Sequence, residues 1–527
     1  MSDDTAMSDD TAMRDTAVSE DAVMSDDAAS ATRAAAGRGL PARLVVTLMA
    51  LALALHLPGL VLRLFNSDEA SIATMAMVIN HGGTLYHQTA DRKPPAVPYL
   101  YAGVFALTGS HDLRPVRALG ALVLGAAAAL LAAEARRRYK SDRAALCCGV
   151  LFLLAYVTVF PADSQAASFE LFMILPVTAA VIAAMRGYAV TAGVCLALGF
   201  LCKQTAATAL VPLVYILYMS GGWRAVARAC VAACSLVGLT ALAFGPSQFL
   251  LWTVTGNGGY LAVGGSLSSN LLRGLGMTGA LVGLEIGIVL LGARAWRNRQ
   301  AAPELWLWLA SAAVGVVAGL RFFGHYYLEL LAPLSLIAAP AVIELASRTR
   351  RLAFAAIVVP ALGVTVAGFV PAGDEGIHRF PAVAQRVKAI TDADDTLFVW
   401  GQLPELYWAA DREPASRFIH NGFLTGNSGE RPNGSGRPSD GIPGAWTMLA
   451  RDLTARPPDL VADVTHAKIR GSQYYPLSTT PLWKTIASDY HLVGAVNGVR
   501  LYRLGRGEGH VAFAAGPLAG PLAERPR

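Results

Sequence analysis

Apolar runs of up to about 20 residues, long enough to cross a bilayer, recur between residues 44 and 370 and are separated by clusters of arginine. That pattern forces an α-helical, polytopic membrane fold, because a backbone inside lipid has to pair its own N–H and C=O groups. Composition agrees. Of the 527 residues 54% are hydrophobic and 15% charged, against roughly 25% charged in a soluble domain. The net charge of +6 lies in the basic clusters between apolar segments, so it reports membrane topology and not a nucleic-acid partner.

The basic clusters set the topology. Arg33, Arg38 and Arg43 precede the first apolar segment and place the N-terminus in the cytoplasm. Arg136–Arg138 with Lys140 and Arg143, then Arg186, Arg224 with Arg228, Arg294 with Arg297 and Arg299, and Arg348 with Arg350 and Arg351 mark the later cytoplasmic turns. Parity then predicts about eleven spans, near 44–65, 112–135, 144–162, 171–186, 189–202, 205–220, 226–245, 275–293, 304–320, 328–346 and 352–370. Residues 95–109 are too short to cross and are expected to form a helix along the outer face.

Four regions follow. Residues 1–42 repeat MSDDTA-like units and read as a disordered, acidic cytoplasmic tail with no signal-peptide features. Residues 43–370 form the transmembrane domain, with a first outer loop at 66–111. Residues 371–505 carry more charge and alternate helix-like and strand-like runs, which predicts an extracytoplasmic α/β domain. Strands are expected at 396–400, 417–420, 459–464, 490–496 and 499–504, the last two joined by Asn497-Gly498, a hairpin signal. Residues 425–443 read as a mobile loop and 506–527 as a disordered tail. The 6 cysteines end at Cys234, so the α/β domain has no disulfide framework, and no Cys/His grouping has zinc spacing.

The chemistry-bearing stretch is the first outer loop. Asp68 and Glu69 follow the first apolar segment directly, and Lys93-Pro94-Pro95 comes before the next helix. Paired carboxylates at a membrane face are costly, which points to a function. The pattern Asp68-Glu69, Gly82-Gly83, Tyr86 and Lys93-Pro94-Pro95 resembles the first outer loop of the protein-mannosyltransferase and aminoarabinose-transferase group, within the GT-C class of membrane glycosyltransferases. It departs from many relatives in having Ser71 and Ile72 after the acidic pair, and Arg92 before the lysine. The resemblance implies a GT-C-like helical domain and a polyprenyl-phosphate-linked sugar donor. It also implies an acceptor on a cell-envelope glycan, glycolipid or protein at the outer face of the plasma membrane.

Sugar transfer from a lipid phosphate needs a base for the acceptor hydroxyl and cations, or a metal ion, for the leaving phosphate. Asp68 fits the base, and the resemblance points to the same residue. Glu69 is expected to orient the sugar or a divalent cation such as Mg or Mn. Lys93 and Arg92 are expected to contact phosphate. Glu170, in FELFMIL, matches an acidic residue that relatives place at a similar point and is the second catalytic carboxylate, with Asp163 as its rival. Lys203 has a counterpart in relatives and is a phosphate ligand or a snorkelling lysine. Arg321 and His325, in RFFGHYY, are phosphate ligands or members of an interfacial belt.

Glu285 falls in the middle of a predicted span and sustains an alternative, a transporter or flippase for a lipid-linked or small substrate. Hydrogen bonding to a neighbouring helix also accounts for a glutamate there. His56 reads as a satisfied core group, and the glycines at 256–259 and 264–265 as loop. A family member that has lost catalysis is a third reading. The loop pair Asp68-Glu69 with Lys93 favours the transferase, because a transporter gains nothing from it.

Overall fold

Helices occupy the apolar segments named above, in a computed structural model that describes residues 40–257, 267–371, 375–427, 440–505 and 511–514. Residues 1–39, 258–266, 372–374, 428–439, 506–510 and 515–527, which take in the N-terminal tail and much of the expected loops and C-terminal tail, lie outside the described residues. Gly256 and Asn257 lie inside them, in a 3-10 turn.

By length and hydropathy Leu113–Tyr139, Gln204–Phe244, Gly324–Ile343 and Ser347–Ala367 suffice to cross a bilayer. The bent pair Leu267–Leu284 and Ile286–Arg297 adds a fifth. Ala42–Leu55, Phe169–Met185, Ala189–Cys202 and Pro303–Val317 are apolar but shorter. A count of eleven requires such short helices to cross as well. Only 17% of the apolar windows of Gln204–Phe244 and Ser347–Ala367 is buried. Their outward residues include Val231, Leu239, Leu242, Val359, Leu362 and Val366, an apolar surface that water does not tolerate at this extent.

Two breaks divide the bundle. The helix Leu210–Phe244 is interrupted at Gly221 and Gly222, the latter at φ +60, which separates the segments expected at 205–220 and 226–245. The second break changes the reading of Glu285. The expected span 275–293 is two helices meeting at 87°, and Glu285 stands at the junction, as the cap of Ile286–Arg297. It is buried, and its Oε1 has no hydrogen-bond partner among the described residues.

Residues 95–109 form the short helix Ala96–Thr108. It packs on Ser67–Asn80, where Asn80 Nδ2 donates to the Ala102 carbonyl at 3.1 Å.

The C-terminal domain is built on a four-stranded sheet of order β1-β2-β4-β3, with β1 Leu397–Trp400, β2 Leu460–Asp463, β3 Tyr490–Val496 and β4 Val499–Leu504. β1 and β2 are parallel, and the other pairs antiparallel. Asn497 and Gly498, at φ +50 and +83, turn the β3–β4 hairpin as their dipeptide predicts. Residues 417–420, expected as a strand, are not one. Their backbone groups go elsewhere: Ala90 N–H of the first loop donates to the Arg417 carbonyl at 3.1 Å, Arg417 N–H donates to Asp452 at 3.2 Å, and Phe418 N–H donates to the Ser416 hydroxyl at 3.2 Å.

The domain is docked through that neighbourhood. Trp408 Nε1 donates to the His111 carbonyl at 2.8 Å, His81 meets Glu413 at 2.6 Å and His111 meets Asp411 at 2.9 Å. The Arg63 guanidinium lies 5.1 Å from the Trp408 ring.

Candidate active site

The site begins with a helix cap. The Asn66 side chain accepts the Glu69 N–H at 3.1 Å and donates to the Ala162 carbonyl at 2.7 Å. This starts the helix Ser67–Asn80 and puts both carboxylates in its first turn, where the helix dipole favours anions. Neighbouring helix positions point about 100° apart, so the pair diverges.

Asp68 faces the open side, its side chain 44% exposed, with its Oδ2 3.8 Å from Lys93 Nζ. Glu69 is 0% exposed. Its oxygens accept Arg117 Nε at 2.8 Å and Nη2 at 2.7 Å, Ala167 N–H at 2.7 Å and Phe65 N–H at 3.3 Å. Four donors surround this carboxylate, so it has nothing left for a sugar or a metal ion. Arg117 also donates to the carbonyls of Gly59 and Leu62, at 2.9 and 2.7 Å. Glu69 and Arg117 thereby tie the short helix Leu57–Val61, the start of Ser67–Asn80 and the helix Leu113–Tyr139 together.

Lys93 is held by its loop. Tyr86, at φ +74, takes its backbone N–H to the Thr89 carbonyl at 2.6 Å and its hydroxyl to the Lys93 carbonyl at 2.9 Å. Gln204 Nε2 donates to the Arg92 carbonyl at 2.5 Å. Lys93 Nζ then stands 3.8 Å from both Asp68 and Asp91 and 4.4 Å from the centre of the Phe169 ring. The Arg92 guanidinium lies 5.1 Å from the Phe423 ring, which belongs to the C-terminal domain.

A second cluster adjoins the first through Phe169. Ser168 caps Phe169–Met185 and puts Glu170 in its first turn. Glu170 pairs with Lys203, whose ammonium lies 4.1 Å from the centre of the Tyr326 ring. His325 bridges the rival carboxylates, with Nδ1 2.6 Å from Asp163 and Nε2 3.5 Å from Glu170. Glu170, expected as a catalytic carboxylate, and Lys203 and His325, expected as phosphate ligands, thus spend much of their capacity on one another. Arg321 is buried in the turn leading to His325, between Leu320 and Phe322 at φ +49 and +52.

The residues present do not fit a resident divalent cation. Glu69 is saturated, and an ammonium already stands between Asp68 and Asp91. Among the described residues no group of three or more His, Cys, Asp and Glu side chains could hold a metal ion.

Burial lifts the Asp91 carboxyl above the usual carboxylate range; Lys93 opposes this and Asp68 adds to it. The folded state therefore keeps its proton to a higher pH than the unfolded chain does, so this contribution is fully present below the unfolded value and is lost as pH rises through the raised folded value. Asp91→Asn is expected to raise the melting temperature near pH 7.5, with the gain shrinking as pH falls through the raised value and gone below about pH 4. Thermal unfolding of the purified protein at both pH values checks this.

Sequence reasoning missed Arg117, although an arginine inside the predicted span 112–135 was signal enough. It also missed Glu329, whose Oε1 accepts the Thr205 hydroxyl at 2.5 Å. Arg417 had no signal at all. Its guanidinium holds Asp452 at 2.8 Å and reaches the Tyr86 carbonyl at 3.2 Å.

A family model described as dolichyl-phosphate-mannose-protein mannosyltransferase matches residues 92–252, which take in Lys93, Arg117, Glu170 and Lys203. The crystal structure of ArnT from Cupriavidus metallidurans in the apo state is similar over 87% of this chain and 97% of that one, at 17% identity and TM-score 0.58. The chain has the GT-C fold. ArnT bound to undecaprenyl phosphate is similar over the same shares at 14% identity and TM-score 0.54. The oligosaccharyltransferase of Archaeoglobus fulgidus, crystallised with Zn and sulfate, has 12% identity and TM-score 0.51 over 88% of this chain and 73% of that one. No curated protein matches the sequence. In this chain the first loop and the C-terminal domain meet where Ala90 bonds Arg417 and Arg92 lies over Phe423.

Proposed function

We propose that the protein is a membrane glycosyltransferase that moves a hexosyl or pentosyl group from a polyprenyl-phosphate donor to an acceptor hydroxyl. The observation that carries this is the pair Asp68 and Lys93, 3.8 Å apart with Asp68 open to solvent, on a GT-C fold. The ArnT structure holding undecaprenyl phosphate supports the donor class.

In this reading the Asp68 carboxylate takes the acceptor proton as the acceptor oxygen bonds to the anomeric carbon. The bond from that carbon to the phosphate oxygen breaks, and Lys93 with Arg92 stabilises the charge that develops on the leaving phosphate. Glu69 acts as an anchor for the helix that presents Asp68. Glu170, Lys203 and His325 position Phe169 and the floor beneath Lys93. Arg321, in the turn before His325, is a further candidate phosphate ligand. The chemistry takes place at the outer face of the plasma membrane, with eleven crossings and a cytoplasmic N-terminus.

Binding of undecaprenyl phosphate tests the reading. The unsubstituted protein in nanodiscs is expected to bind it, and Lys93→Ala to weaken binding about tenfold or more, the scale of a charge-assisted contact. Equal affinity in the two proteins would remove Lys93 from the phosphate site.

The orphaned Glu285 oxygen at a helix break favours the transporter alternative. On the transferase reading Glu285→Gln leaves lipid-phosphate binding intact.

A further inference from the structure

His420 comes to the site from the C-terminal domain, in the stretch that lies over the first loop. Its Nδ1 accepts the Gly422 backbone N–H at 3.1 Å. With Nδ1 an acceptor, the ring proton of the neutral imidazole sits on Nε2, which is then a donor. The ring lies 4.4 Å from Phe423, centroid to centroid, and the Arg92 guanidinium is 5.1 Å from that same Phe423 ring. Burial, and then the charges of Arg92, Lys93 and Arg470, push His420 down to about 3, against Asp68, which raises it. His420 is therefore an uncharged N–H donor within electrostatic reach of both halves of the Asp68–Lys93 pair.

Around it the domain has gathered a buried polar cluster. Gln402 Nε2 donates to Asn421 Oδ1 at 3.1 Å and to the Asn427 carbonyl at 3.0 Å. Arg470 donates to the Gln402 carbonyl at 3.0 Å and to Glu405 at 2.7 Å. Asn421 and Asn427 are each 1% exposed. Asn421 Nδ2 and Asn427 Oδ1 nevertheless have no hydrogen-bond partner among the described residues. Leaving buried amide atoms unpaired is costly, and a ligand rich in hydroxyls supplies donors and acceptors together. A phosphate is served by the cations Lys93 and Arg92, whereas a neutral imidazole with amides beside it suits uncharged oxygens.

We propose that His420 contacts the sugar of the donor, its Nε2–H donating to a hydroxyl or ring oxygen of the glycosyl group held at Asp68 and Lys93. This rests on the transferase reading above. It gives the C-terminal domain a share in substrate specificity, because the residue that reads the sugar and the residues that hold the phosphate come from different domains.

The test compares affinities for undecaprenyl phosphate and for undecaprenyl phosphate carrying mannose, glucose, galactose or arabinose. The proteins are the full chain, His420→Phe and His420→Gln, in nanodiscs. The unsubstituted protein is expected to bind at least one sugar-bearing lipid more tightly than the bare phosphate. His420→Phe should lose that gain, about tenfold, and keep its affinity for the bare lipid phosphate, which also shows that the variant is folded. His420→Gln carries an N–H donor at similar reach and should retain most of the gain. The proposal is overturned if His420→Phe keeps the gain, if it loses bare phosphate equally, or if His420→Gln falls as far as His420→Phe. It is also overturned if no sugar improves on the bare phosphate. Failure of the unsubstituted protein to bind undecaprenyl phosphate would instead bring down the transferase reading itself.

Discussion

Asp68→Asn is expected to lower the transfer rate per folded molecule by about 10²–10⁴-fold, the usual worth of a positioned general base. Affinity for undecaprenyl phosphate should change far less. Asparagine keeps the size of the side chain and its place in the first helical turn, but it cannot take a proton. Asp68 is also half open to solvent and 3.8 Å from its cation, a pairing worth little to stability at such exposure. The amount of folded protein should therefore hold while turnover falls. The measurement is initial rate normalised to folded protein, beside lipid-phosphate affinity. Near-normal turnover would remove Asp68 as the base. Lys93→Ala is expected to show the other balance, losing affinity and rate together.

Arg117→Met should produce the largest loss of stability. The substitution leaves Glu69, fully buried, without the guanidinium that supplies two of its four hydrogen bonds. Breaking one side of a buried ion pair typically costs on the order of 3–5 kcal/mol. It also removes the ties to the Gly59 and Leu62 carbonyls. The double variant Glu69→Gln with Arg117→Met should be more stable than Arg117→Met alone, because the buried charge is gone as well. Melting temperature and yield of monodisperse protein give the comparison. A double variant less stable than the single one would show that the pair is not acting as a buried charge pair. Where the protein survives, transfer should be reduced, since the same anchor sets the direction in which Asp68 points.

What the chain says on its own and what needs its folding divide along a physical line. Local chemistry was legible. Apolar length and arginine spacing marked the helical segments, Asn497-Gly498 could turn a hairpin, and a carboxylate pair with a distant Lys-Pro marked the reactive loop. Each of these is decided within a few residues, by backbone geometry or by the cost of charge near lipid. Pairing was not legible. Asp68 and Glu69 are adjacent and chemically alike, and only the arrival of Arg117, forty-eight positions away, sent one inward and left the other at the mouth. Glu170 looked like a catalytic carboxylate and Lys203 like a phosphate ligand until packing brought them onto each other across thirty-three positions. Glu285 looked like the middle of a span until the helix proved to turn by 87° beside it. The 417–420 stretch looked like a strand because its residues suit one, but the Arg417 carbonyl and guanidinium went to a loop more than three hundred residues earlier, and its N–H to Asp452. Sequence determined which groups are costly enough to have a purpose. Tertiary structure decided their partners, because a buried charge takes whichever opposite charge the fold brings within hydrogen-bond reach.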